Sequence, residues 1–259
     1  MSNMTHSFLF PTIVWQKKLN YISDKENGFR LIKHVSIKKS NEQTVHKSNY
    51  GGWQSESDVK IPFEDLQAEI DQAVEEVCRH VELPKLQMTA VWYNVNEPGH
   101  YNSIHNHHGS IISGVYYVEV PHEDMGDIVF HRGDDAEYYL EDLPDEKRNN
   151  FKAASTHRYT PETGMCLLFP SWLKHSVEGN LATEEAVGLW VEEQPGSDTF
   201  KKTRNVRRDR ISLSFNYSYI PDANEDLTEQ TRLKKIQDSA AGKPNAVKEA
   251  YLHSRKDTE

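Results

Sequence analysis

His105-Asn106-His107, a lone His175 far downstream, and Arg210 at the head of an alternating run are the residues whose types and spacing could do chemistry. On an extended segment side chains alternate with period two, so His105 and His107 would project to the same face. His175 closes the stretch Gly164-Met165-Cys166-Leu167-Leu168-Phe169-Pro170-Ser171-Trp172-Leu173-Lys174-His175. Two imidazoles from one strand and a third from a distant one make a three-sided metal site with open positions on a β-framework. Pairs of this spacing also arise by chance in a chain with 13 histidines. The distant partner and the flanking pattern favour the metal reading. His108, adjacent to His107, would point the other way and reads as a solvated loop residue.

The elements that must position these residues are mostly strands. Residues 88–96 are rich in β-formers and end at the turn Glu97-Pro98-Gly99. Residues 111–120, stopped by Pro121, and 127–130 read as two more strands. Residues 167–169 and 176–177 flank the Pro-Ser-Trp turn before His175. In 210–219, Ile211, Leu213 and Phe215 fall on one face and Arg210, Ser212, Ser214 and Asn216 on the other. Residues 8–15 read as a short edge strand interrupted by Pro11. Residues 133–160 read as an acidic, irregular excursion.

Two helices are expected beside the strands. Ser23-Asp24-Lys25-Glu26 has the pattern of a capping box. Over 62–82, Phe63, Leu66, Ile70, Val74, Val77 and Val81 recur at helical spacing, which predicts a helix packed on the outside of a sheet. Many short strands with few helices favour a sandwich or jelly roll. Residues 1–220 read as one domain, and 221–259 as a polar tail, disordered or a loosely docked helix.

Composition narrows the function. A net charge of −10 argues against a duplex nucleic-acid footprint. No apolar run approaches the roughly 18 residues of a membrane span. The N-terminus lacks the basic start and apolar stretch of a signal peptide. Cys78 and Cys166 alone imply no disulfide framework, and a reducing cytoplasm fits. The edge-like N-terminal strand makes a homodimer plausible. The basic cluster around 201–208 reads as a solvated loop, with an anion-binding patch as its alternative.

The chain resembles the iron(II)/2-oxoglutarate-dependent oxygenases, in a branch common in phages and marine bacteria. The resemblance rests on Phe10-Pro11-Thr12, Gly51-Gly52-Trp53-Gln54-Ser55, Tyr101-Asn102-Ser103-Ile104-His105-Asn106-His107, Ser113-Gly114-Val115-Tyr116-Tyr117-Val118, Leu168-Phe169-Pro170-Ser171-Trp172-Leu173-Lys174-His175 and Arg210-Ile211-Ser212-Leu213-Ser214-Phe215-Asn216, in this order. It implies a mainly β fold with flanking helices, a double-stranded β-helix (jelly roll, cupin-like). It implies iron(II) held by His105, His107 and His175, and 2-oxoglutarate as cosubstrate with its distal carboxylate on Arg210. Ser212, two residues on, would face the same way. Tyr117, the second tyrosine of its pair, and Asn94 are further candidates for the cosubstrate pocket. The Trp53 segment reads as a core or loop anchor.

The activity implied is hydroxylation of an unidentified substrate, a small molecule or a protein side chain, with release of succinate and carbon dioxide. Two features depart from the wider superfamily. His-x-His replaces the usual His-x-Asp/Glu, which leaves the metal its full double charge until a dianionic cosubstrate arrives. Arg210 also lies farther beyond His175 than is usual, so 181–208 reads as an insertion. Alternatives stay open: a three-histidine cupin-type metalloenzyme working without 2-oxoglutarate, a zinc hydrolase, and a non-catalytic jelly-roll module.

Overall fold

A computed structural model describes residues 11–133, 155–182 and 208–220. The expected tail from 221 and the basic residues 201–207 lie outside the described residues.

The strands are β1 (Trp15–Lys18), β2 (Asn49–Tyr50), β3 (Trp53–Gln54), β4 (Gln87–Asn96), β5 (Tyr101–His105), β6 (Ile112–Glu119), β7 (Ile128–His131), β8 (Thr156–Tyr159), β9 (Met165–Pro170), β10 (His175–Val177) and β11 (Arg210–Ser218). They form two antiparallel sheets, ordered β1-β9-β6-β11-β4-β3 and β2-β5-β10-β7-β8. From β4 onward, successive strands alternate between the sheets, apart from β7 and β8, which pair within one. This is the double-stranded β-helix that the strand pattern and the resemblance both imply.

Helices α1 (Lys25–Asn41) and α2 (Glu64–His80) lie against the six-stranded sheet. The Asp24 carboxylate caps α1 by accepting from the Glu26 and Asn27 amides at 2.8 and 3.3 Å. Ser23 does not cap it, because that residue closes a 3-10 turn over Tyr21–Ser23 and leaves Asp24 as the first extended residue. α2 buries Leu66, Ile70, Val74 and Val77 as its periodicity predicts.

The apolar side chains form two large clusters. One joins α1 and α2 to the outer face of the six-stranded sheet through Val91, Tyr93, Tyr116, Leu213, Phe215 and Tyr217. The other lies between the sheets and includes Val115, Tyr117, Phe130, Leu167 and Phe169. Gly114 allows the Phe215 ring to lie against its backbone, since a Cβ there would sit 2.4 Å from that ring.

Two expectations need correction. Of the strand expected at 8–15, residues 8–10 lie outside the described residues and 11–14 carry no strand; β1 runs over Trp15–Lys18. It does occupy a sheet edge, and its position is set by register with β9 (Trp15 opposite Leu168) rather than by its own apolar residues. Within 133–160, Thr156–Tyr159 is strand β8, paired with β7.

Candidate metal centre

β5 and β10 place the first two imidazoles. His105, the last residue of β5, pairs directly with His175, the first of β10. Cross-strand partners share a face, and the two rings lie 4.3 Å apart. His107 arrives differently from the expected single strand. It lies beyond the end of β5, where its amide donates to the Ser171 carbonyl at 2.9 Å. Its ring is 5.2 Å from that of His105 and 5.1 Å from that of His175, against Trp92 at 5.5 Å. A nitrogen from each of the three histidines lies within 4.8 Å of the others. His108 is exposed.

Their protonation suits a metal. Burial holds all three below the ordinary histidine value, His107 at about 4 and His175 at about 3, so each is neutral near pH 7. His105 Nδ1 meets the Ser103 carbonyl at 2.7 Å, and His175 Nδ1 meets the Leu173 carbonyl at 3.0 Å. A carbonyl accepts only, so each Nδ1 carries the proton and each Nε2 keeps its lone pair. Three neutral imidazoles converging on one point fit a first-row divalent ion such as iron(II).

The six-stranded sheet supplies the facing wall in register. Ser212 on β11 stands between Asn94 on β4 and Tyr117 on β6. One step along, Ser214 lies between Trp92 and Val115. The Asn94 amide donates to Ser214 Oγ at 3.1 Å, while its Oδ1 is buried without a partner. Tyr116 and Tyr117 point to opposite faces: Tyr116 joins the helix-covered cluster and Tyr117 the inner one. Burial raises the Tyr117 phenol to about 12, so it is a donor.

Arg210 is 1% exposed and opens β11 opposite Asn96. Its Nη1 donates to the carbonyls of Met125, Gly126 (2.8 Å) and Glu178 (3.5 Å), while Nη2 is buried with no partner. A buried cation with an unmet donor fits an anionic group such as a carboxylate. Gly126 has φ of +84°, and a Cβ there would meet the Glu178 carbonyl at 2.3 Å. Only glycine holds that turn under the guanidinium without strain.

A cavity of about 500 Å3 joins these groups, lined by His105, His107, His175, Arg210, Ser212, Tyr117 and Asn94 among others. All seven site candidates therefore face one space. The cavity also collects Lys47, Ser48, Gln54, Asn96 and Asn102, which the strand pattern did not single out. Ser48 Oγ lies 3.4 Å from His105 Nε2 and accepts from the Asn102 amide at 3.2 Å. Trp53 does not line the cavity; its indole donates to the Glu42 carbonyl at 3.1 Å and anchors the strand. Among the described residues no helix is long and apolar enough to cross a membrane.

Residues 90–189 match the sequence model of a family described as "Putative 2OG-Fe(II) oxygenase". In structure the chain is similar to a Pseudomonas putida prolyl-4-hydroxylase, with a TM-score of 0.51 at 12% identity, over 81% of this chain and 94% of that one. It is also similar to the non-haem alpha-ketoglutarate-dependent epimerase SnoN of nogalamycin biosynthesis, with a TM-score of 0.50 at 13% identity, over 80% and 78% of the two chains. At these identities the likeness is one of fold. No curated protein matches the chain in sequence.

Proposed function

We propose that this chain is a 2OG-Fe(II) oxygenase, as the family match over residues 90–189 supports, and that it hydroxylates a small molecule or a protein side chain at an iron(II) centre held by His105, His107 and His175, with Arg210 seating 2-oxoglutarate. The observation that carries the reading is the Arg210 guanidinium, buried between the sheets with Nη1 on three backbone carbonyls and Nη2 unmet. Leaving a charged donor unpaired in the interior costs several kcal/mol (roughly 3–5 when a buried pair is broken), so the position suits a ligand that brings the anion.

Bound iron(II) and 2-oxoglutarate supply dioxygen activation, with succinate and carbon dioxide as co-products and the substrate C–H bond as the point of attack. The chain's residues do the positioning. The Ser103 and Leu173 carbonyls hold His105 and His175 with Nε2 toward the centre. Nη2 of Arg210 donates to the distal carboxylate, with the Ser212 and Tyr117 hydroxyls beside it in the next row. Asn94 turns an unpaired Oδ1 into the same region. Val115, Ile128, Phe169 and Val177 form an apolar wall that limits water near the centre.

A cupin-type centre working without 2-oxoglutarate, or a zinc hydrolase, would share the three histidines but have no use for a buried guanidinium with a free donor. The test is anaerobic titration of 2-oxoglutarate into the iron(II)-loaded protein, followed by the visible metal-to-ligand charge-transfer band. A saturable band that is lost in His107→Ala supports the reading. Iron bound with no band on adding 2-oxoglutarate favours the cupin-type alternative.

A further inference from the structure

From a charge that this reading leaves unused, we infer that the substrate is a small polar anion, whose carboxylate or phosphate group is met by Lys47 at the cavity mouth. The inference rests on the oxygenase reading of the same site. Among the described residues no Asp or Glu lines the cavity, and its fixed cations are Arg210 and Lys47. Imidazole binds a metal as an uncharged ligand, so a divalent ion held by three histidines keeps both its charges. A dianionic cosubstrate, with one carboxylate at the metal and the other on Arg210, offsets two of these three positive charges and leaves one; Lys47 adds another. A cavity whose described lining carries surplus positive charge and no carboxylate attracts an anion and repels a cation, and its low-dielectric walls strengthen both effects.

Lys47 is placed for this role by its neighbours. Its amide donates to Asn49 Oδ1 at 2.9 Å, and the next residue is tied to β5, where the Ser103 amide donates to the Ser48 carbonyl at 2.9 Å. Two residues earlier, the Val45 amide donates to the Gln54 carbonyl at 2.9 Å. The backbone is thus fixed on both sides while the side chain is exposed at the rim. Lys17, Lys38 and Lys39 are each spent on a carboxylate; among the described residues Lys47 is not.

The rest of the lining describes the body of the ligand. Gln54 and Asn96 are buried and present amides, each able to donate and accept. Trp92 offers an apolar ring beside His107. A space of about 500 Å3, shared with the cosubstrate, suits a small molecule rather than a folded partner.

The test uses the full-length protein loaded with iron(II) and 2-oxoglutarate under anaerobic conditions, read through the charge-transfer band. Two matched pairs are titrated: N-acetyl-leucine against N-acetyl-leucinamide, and uridine 5′-monophosphate against uridine. The expected result is that the anionic member of at least one pair perturbs the band at a concentration about tenfold or more below its neutral partner. Whichever pair responds separates carboxylate from phosphate. Lys47→Glu should remove the difference, and Lys47→Arg should keep it. The proposal is overturned if neither anion acts below its neutral partner, or if Lys47→Glu leaves the difference intact. Absence of any band before the probes are added would instead remove the oxygenase reading, so the two failures are distinguishable.

Discussion

The two faces of β11 follow opposite rules although they belong to one strand. Ile211, Leu213, Phe215 and Tyr217 point outward into the helices and are 6% exposed or less. Arg210, Ser212, Ser214 and Asn216 point inward to the cavity and are all polar. The outer face is packed by its neighbours: shape meets shape, and the Tyr217 hydroxyl donates to the Asp71 carboxylate of α2. Buried unpartnered atoms occur on both sides, the Tyr93 and Tyr116 hydroxyls flanking Leu213 outside and Arg210 Nη2 with Asn94 Oδ1 of β4 inside, but only the inner pair lines a cavity that a ligand could fill. The outer face is therefore built for stability, and the inner face carries the cost of a ligand-binding site.

The largest expected effect removes the metal while leaving the fold. His175 is buried among aromatic rings, 4.8 Å from Phe169, and its Nδ1 bond to Leu173 is local. His175→Ala should abolish stoichiometric iron binding, measured as metal content after anaerobic loading and desalting, while the far-UV spectrum stays that of the wild type. A variant that still held one iron would remove His175 from the ligand set.

Paired substitutions on β11 then test the comparison directly. Arg210→Met keeps volume and removes a poorly compensated buried charge, so the ligand-free protein should unfold at the same denaturant midpoint or later. Its affinity for 2-oxoglutarate should fall at least ~30-fold, from the roughly 2–5 kcal/mol lost when one partner of a buried charged pair is truncated. If 2-oxoglutarate still bound normally, the carboxylate would have another partner. Leu213→Ala does the reverse. It opens a cavity in the packed face at a cost of about 2–5 kcal/mol in urea unfolding, while the folded fraction keeps its 2-oxoglutarate affinity. Should both variants lose stability and binding together, the two faces would not be separable.

That division explains what the sequence made legible. Period-two alternation in β11 and the 3.6-residue period of α2 are written by side chains buried on one side only, so both elements read directly. The three histidines stood out by type and spacing, and their rings do come together; Arg210 was singled out by the resemblance, at an unusual distance from His175, and it lines the same cavity. β8 escaped because Thr156-His157-Arg158-Tyr159 lies at a sheet edge and is nowhere fully buried. β2 and β3 are two residues each, too short for any period. The cradle of Arg210 was invisible for another reason. It consists of the Met125, Gly126 and Glu178 carbonyls, and a backbone acceptor has no side-chain signature. Lys47 and Ser48 reach the site from a loop tied down by hydrogen bonds, which no periodicity reports.

The smallest effect is the sharpest probe of how the inner row divides its work. Ser212 stands between Asn94 and Tyr117 in register, one row from Arg210, so a carboxylate on Nη2 would come within reach of its hydroxyl. A neutral hydroxyl donating to a charged acceptor contributes roughly 1.5–3 kcal/mol when it is the sole partner. Here Arg210 supplies the charge and the Tyr117 phenol a second donor, so Ser212→Ala should cost less, about 1 kcal/mol or roughly fivefold in 2-oxoglutarate affinity. Serine to alanine removes one atom from a surface that already faces the cavity, so the denaturation midpoint should not move. The double variant with Tyr117→Phe distinguishes a shared carboxylate from two independent contacts. Groups bonded to one carboxylate couple, so the double loss should depart from the sum of the singles by about 0.5 kcal/mol or more, and strict additivity would place one hydroxyl elsewhere in the cavity.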